Sequence, residues 1–131
     1  MVLQDNLYTI VSQQQEEGLT VFHVRLHPEW PIYKAHFPNR PITPGVCIVQ
    51  MVQELLQHLC DSRHGSCGAG QRLRLKEAKN VKYTAIVSPD EISELSVTFS
   101  KIEEQPDGSL KVQAQVASGE TLCTKLSLTF G

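Results

Sequence analysis

A histidine beside a Pro-Gly turn that opens a helix carries the clearest chemistry this sequence could perform. It begins the stretch HFPNRPITPGVCIVQ, which runs from His36 to Gln50. An imidazole titrates at about 6.5, so His36 can take a proton near neutral pH. Thr43 is an N-cap type and Pro44 suits the first helical position, where its missing N–H costs nothing. Together they predict a helix whose first residue is Pro44. The backbone N–H groups at such an opening, with the helix dipole behind them, can stabilise a developing oxyanion. His36 therefore reads as half of an acid/base pair, and the acid is not evident.

The surrounding elements must hold these groups in place. LTVFHVRL, from Leu19 to Leu26, has the β-branched and aromatic content of a strand, and LYTIVS before it reads as its hairpin partner across a QQQEEG turn. The proline-rich segment HPEWPIYKAHFPNRPITPG then removes backbone donors and keeps the chain extended, which suits the placing of a side chain. From Thr43 the pattern changes to VCIVQMVQELLQHLC, apolar on nearly every side in its first half, so this helix must be buried. Gln50, Glu54 and Gln57 or His58 form its one polar stripe, at helical spacings of three and four.

After the Gly/Ser-rich DSRHGSCGAG, where Asp61, Ser62 and Gly65 signal the end of the helix, the chain reads as strands. These are RLRLKEAKNVKYTAIV, ISELSVTFSKIEE, LKVQAQVA and TLCTKLSLTF, separated by the turn clusters VSPDE, QPDGS and ASGE. Consecutive strands joined by short turns predict an antiparallel sheet. One buried helix between an early hairpin and later strands gives an α+β architecture, a curved sheet wrapped around the helix, in one domain over residues 1–131.

Composition excludes several functions. The formal net charge of −2 offers no overall basic field for nucleic acid, and 6% aromatic content gives few stacking platforms. No apolar run reaches the roughly 18 to 20 residues of a membrane span, and MVLQDNLYTI lacks the pattern of a secretory signal, so a cytoplasmic protein is expected. Cys47, Cys60, Cys67 and Cys123 include no C-x-x-C and read as reduced, mostly buried thiols. His58, Cys60, His64 and Cys67 are possible zinc ligands, but their spacing matches no common module. Neither metal nor cofactor is expected.

HFPNRPITPGVCIVQ resembles the signature of the β-hydroxyacyl-[acyl carrier protein] dehydratases of fatty acid synthesis. The approach PEWPIYKAHFP and the later LKEAKNVKYTAIVSPDEI, with its Pro-Asp turn, extend the likeness over Val21 to Phe130. It implies the hotdog fold, an antiparallel sheet around one long central helix, paired into homodimers. By the same resemblance His36 matches the catalytic histidine and Gly45 the glycine whose N–H holds the thioester carbonyl. Gln50 stands where the family has its carboxylate. Asn39 and Ala35 replace two glycines around the histidine and add bulk at the lip of the site. Phe37, Pro44, Val46, Trp30 and Tyr33 are expected to line the acyl tunnel.

Dehydration of a 3-hydroxyacyl thioester removes an α-proton, spreads charge onto the thioester oxygen and delivers a proton to the departing hydroxide. His36 and Gly45 can serve the first two needs. A glutamine amide can orient the hydroxyl but exchanges no proton near neutral pH, and losing a positioned acid typically slows a reaction about 10²- to 10⁴-fold. Three routes remain open. His36 can act as base and then acid on one face. Glu54, about 6 Å further along the helix, can reach back through a water. Alternatively, since the family builds each site from the histidine of one protomer and the acid of the other, this chain can pair with an acid-bearing homologue.

His23, His27, His58 and His64 carry no such motif. Arg72, Arg74, Lys76, Lys79 and Lys82 surround Glu77 alone, a basic patch that would either steer an acidic carrier or simply decorate the outer face of an edge strand. The expected activity is thus a 3-hydroxyacyl-thioester dehydratase acting on acyl carrier protein- or CoA-bound chains, as a homodimer, a higher oligomer or a heterodimer with a related subunit. The rival is a hotdog subunit that binds acyl thioesters and has lost turnover. Thioester hydrolysis would need an activated water that nothing in the sequence identifies.

Overall fold

The computed structural model describes residues 3–29, 31, 43, 45–62, 73–85, 87, 93–119 and 121–131. Strands β1 (Tyr8–Glu16) and β2 (Leu19–Leu26) form an antiparallel hairpin. The expected turn over QQQEEG shrinks to Glu17 and Gly18, and Gln13 to Gln15 belong to the strand. Both turn residues have positive φ, 48° and 81°. A two-residue turn of that hand matches the twist of the paired strands, so the ladder continues to its foot.

Helix α1 (Gly45–Ser62) follows, and then β3 (Leu75–Tyr83), β4 (Glu94–Glu104), β5 (Leu110–Ser118) and β6 (Thr121–Phe130). The six strands make one sheet in the order β1-β2-β4-β5-β6-β3, with every named pair antiparallel. Chain order alone suggested that β3 and β4 would be neighbours. Instead β2 pairs with β4, and β3 crosses to the far edge beside β6.

The core follows from two periodicities. On β5 the residues Leu110, Val112, Ala114 and Val116 are buried and alternate with exposed Lys111, Gln113 and Gln115. Side chains of a strand alternate across the sheet, so this pattern fixes one inner face. The helix contributes Cys47, Met51, Val52, Leu55, Leu56 and Leu59 to the same buried cluster. Full burial of each such leucine or valine contributes about 1.5–3 kcal/mol. Phe22 and Phe99, on adjacent strands, meet edge to face with centroids 5.9 Å apart.

Two local features differ from expectation or complete it. The helix runs through Asp61 and Ser62 rather than ending before them. Gln57 Nε2 donates to Asp61 Oδ1 at 3.0 Å, an i,i+4 bond that supports this last turn. His64 and Cys67 lie outside the described residues, whereas Cys47, Cys60 and Cys123 are buried. Ahead of the helix, Thr43 N donates to Val87 O at 2.7 Å, which ties the helix entry to the chain just beyond β3.

Thr124, on β6, is fully buried, and its Oγ1 has no hydrogen-bond partner among the described residues. A buried hydroxyl without a partner is destabilising, and valine has nearly the same shape. Thr124→Val should therefore raise stability by about 1 kcal/mol, read as a higher urea midpoint at unchanged slope.

Candidate functional site

Gly45 is the first residue of α1, and Pro44, the first helical position expected from the sequence, lies outside the described residues. A Cβ on Gly45 would lie 2.7 Å from Tyr83 Oη and 2.8 Å from Tyr83 Cζ, so only a hydrogen fits while the ring stays in place. Tyr83 ends β3 and pairs with Thr124 of β6. It reaches the helix opening only because β3 occupies the sheet edge. Burial pushes its hydroxyl above the usual phenol range, so it is a neutral O–H donor at physiological pH. Sequence reading passed over this residue: nothing in KYTAIV separates a tyrosine at the helix mouth from an ordinary strand aromatic.

Val46, the next helical residue, is 72% exposed, which is unusual for a large apolar side chain beside a core. One turn further on, Gln50 Nε2 donates to Glu54 Oε2 at 3.1 Å. An ionised carboxylate only accepts, so this bond fixes which end of the amide faces Glu54 and turns the amide oxygen away from it.

Glu54 gathers donors from far away in sequence. Leu3 N reaches Oε2 at 2.8 Å, Gln4 N reaches Oε1 at 2.7 Å and Tyr8 Oη reaches Oε1 at 3.0 Å. With Gln50, four donors meet the roughly four lone-pair sites of one carboxylate. Glu54 thereby fastens the turn before β1 to the middle of α1 and holds the Gln50 amide in one orientation. Burial, the charge of Glu54 and the hydrogen bond to it, in that order, raise the Tyr8 hydroxyl far above the usual phenol value.

Among the other histidines, His27 Nε2 lies 2.6 Å from Thr9 Oγ1, and its Nδ1 lies 3.3 Å from Glu29 Oε1. His58 packs edge-on against Phe22, with centroids 6.1 Å apart, and His23 is exposed on β2. Of the residues that the sequence assigned to the site, Gly45, Val46, Gln50 and Glu54 share the first three turns of α1. His36, Phe37, Pro44, Trp30 and Tyr33 lie outside the described residues.

Glu54→Gln would aim an amide N–H₂ at groups that are themselves donors. It should destabilise the chain by roughly 1.5–3 kcal/mol in urea denaturation, the usual worth of hydrogen bonds to a charged group. Tyr8 adds a pH signature. Its folded pKa lies above the unfolded value of 10.0, so below that pH both states keep the proton and Tyr8 contributes no slope. Above it the unfolded chain ionises first, and stability falls by up to about 1.4 kcal/mol per pH unit. Tyr8→Phe should remove that part of the alkaline slope when both proteins are melted between about pH 9 and 11.

With the geometry described, comparison with known proteins gives three findings. A family model described as ApeI-like, ApeI dehydratase, matches residues 12–124. The 3-hydroxyacyl-[acyl-carrier-protein] dehydratase FabZ of Rhizorhabdus wittichii is 30% identical over 98 residues, covering 74% of this chain and 60% of that protein. FabZ of Lactiplantibacillus plantarum is 27% identical over 99 residues, covering 76% of this chain and 65% of that protein. The chain thus spans less than two thirds of the length of these relatives. Among solved structures, the dehydratase heterocomplex ApeI:P from Xenorhabdus doucetiae superposes with a TM-score of 0.62 at 14% identity, covering 94% of this chain and 96% of that one. Conserved protein PA5202 from Pseudomonas aeruginosa gives 0.59 at 21% identity, covering 90% and 84%. The fold is the hotdog expected from the sequence, and no described helix is long and apolar enough to cross a membrane.

Proposed function

Because the chain belongs to the ApeI-like dehydratase family, we propose that it eliminates water from a 3-hydroxyacyl thioester carried on an acyl carrier protein or on CoA. The match over residues 12–124, which spans the stretch from His36 to Gln50, carries this reading. In it His36 takes the α-proton and the Gly45 N–H at the helix opening steadies the thioester oxygen. Gln50 accepts a hydrogen bond from the 3-hydroxyl through its amide oxygen, the end turned away from Glu54. Glu54 enters as the residue that holds Gln50 and not as a proton donor, since its lone pairs already meet four donors. The proton for the departing hydroxide comes from His36, which has just collected one. Phe37, Pro44, Val46, Trp30 and Tyr33 line the acyl chain's path.

Residues 1–131 act as one hotdog unit, and a second copy would continue the sheet along the edge of β3 that faces away from β6. A rival reading, in which this chain is a non-turnover subunit partnering an acid-bearing homologue, is favoured by the amide at Gln50.

Hydration or dehydration of a 3-hydroxyacyl thioester by the native chain, Gln50→Glu and His36→Ala separates the two. The native chain should turn over slowly, His36→Ala should be inactive, and Gln50→Glu should be faster by up to about 10²- to 10⁴-fold. Activity in Gln50→Glu alone would instead establish the partner-subunit reading. A native rate unchanged by His36→Ala would remove the mechanism altogether.

A further inference from the structure

The inner face of the sheet is apolar over most of its area. On β6 its register runs Thr124, Leu126, Leu128 and Phe130, and on β3 the partners of Thr124, Leu128 and Phe130 are Tyr83, Ala78 and Leu75. Residues directly opposite one another share a face, so the two hydroxyls of this register stand together at one end, where Tyr83 reaches Gly45. Thr124 Oγ1 is inaccessible and has no hydrogen-bond partner among the described residues. Tyr83 Oη bonds none of the described residues either, yet Tyr83 is 53% exposed. Of the two hydroxyls, only the phenol can meet a group that arrives from outside.

Its position relative to the helix opening is specific. Gly45 N–H is among the donors at the start of α1 that no helical carbonyl reaches. A Cβ on Gly45 would stand 2.7 Å from Tyr83 Oη, and such a Cβ is about 2.5 Å from its own backbone nitrogen, so phenol oxygen and amide nitrogen are at most about 5.2 Å apart. Two donors that each hold one oxygen at about 2.9 Å can be up to about 5.8 Å apart. A single oxygen can therefore bond both. The ring atoms nearest Gly45 are Oη, Cζ and Cε1, so the hydroxyl tip of the side chain, and not its flank, is turned to the opening. Burial keeps that hydroxyl protonated and able to donate.

We propose that Tyr83 is a catalytic residue whose hydroxyl binds the thioester carbonyl oxygen together with the Gly45 N–H. The inference rests on the dehydratase reading and deepens it. When His36 takes the α-proton, the electron pair of the C–H bond enters the enolate and negative charge grows on the thioester oxygen. The Tyr83 hydrogen bond strengthens with that charge, and the phenol keeps its proton. The pair then forms the double bond between the α- and β-carbons as the C–O bond breaks, and the hydroxide leaves as water with the proton from His36. Tyr83 ends the cycle as it began.

The test compares the intact chain with Tyr83→Phe, which removes one oxygen and keeps the ring that packs on Gly45. With a 3-hydroxyacyl-CoA, kcat should fall by about 10- to 100-fold, below the roughly 10²- to 10³-fold usual for an oxyanion donor because water reaches Tyr83, while KM changes by less than about three-fold. A second readout needs no turnover. Hexanoyl-CoA has no 3-hydroxyl to lose, and the infrared band of its bound carbonyl, isolated by carbon-13 labelling, should move to higher frequency in Tyr83→Phe. Replacing Tyr83 by 3-fluorotyrosine, a stronger donor of nearly the same shape, should move the band the other way. Thermal midpoints of the three proteins serve as the control for folding. A native rate unchanged by His36→Ala would remove the dehydratase reading, and the carbonyl band would still decide whether Tyr83 holds the oxygen. A band at one position in all three proteins, a kcat in folded Tyr83→Phe within about two-fold of native, or an effect on KM alone would overturn the proposal.

Discussion

Removing the apolar flanks of α1 from water under the inner face of the sheet is the constraint on which the rest of this molecule depends. Cys47, Met51, Val52, Leu55, Leu56 and Leu59 are nearly inaccessible, and no helix of this composition would be stable alone in water. The sheet supplies its half through alternation along β2 and β5, over Glu94–Phe99 of β4 and from Thr124 to Phe130 of β6. A one-residue slip in any of these strands would turn its apolar set to solvent, so helix burial also fixes the register. Register in turn sets every outward side chain.

A helix buried this deeply has few places for polar groups, and those it carries are bonded. Gln50 and Glu54 share the polar stripe, and Gln53 and Gln57 bond the backbone of Leu73, where the chain approaches β3. Glu54 extends this logic by collecting two backbone N–H groups and a buried phenol from the turn before β1. An unpaired carboxylate in such a place would be costly, whereas a fully bonded one gives a single arrangement. The Gln50 amide inherits its orientation from that arrangement, so a contact made for stability also sets which atom of the candidate site faces away from the anchor.

The two faces of the sheet thus serve different purposes. The inner face fixes the helix and brings Tyr83 against Gly45. The outer face is free of packing demands and carries charge. Bulges in β3 do the sorting, because each moves later side chains to the opposite face without breaking the pairing with β6.

Local chemistry in the sequence was sufficient for the place of α1 within about a residue of its start, its buried character, the antiparallel strands and the alternation that defines the core. Thr43, Pro44, hydrophobic periodicity and the turn clusters encode these over a few residues each, and the HFPNRPITPG motif pointed to the family for the same reason. The place of β3 at the far edge was not legible, because strand neighbours are chosen by packing over the whole sheet and not by the turn that follows. For the same reason Tyr83 at the helix mouth could not be read in advance. Glu54 looked like an acid in reserve, and its bonding by Leu3, Gln4 and Tyr8 joins residues 46 to 51 positions apart. Only tertiary structure brings such distant donors to one carboxylate, since the desolvation that makes their pairing necessary arises when the core closes.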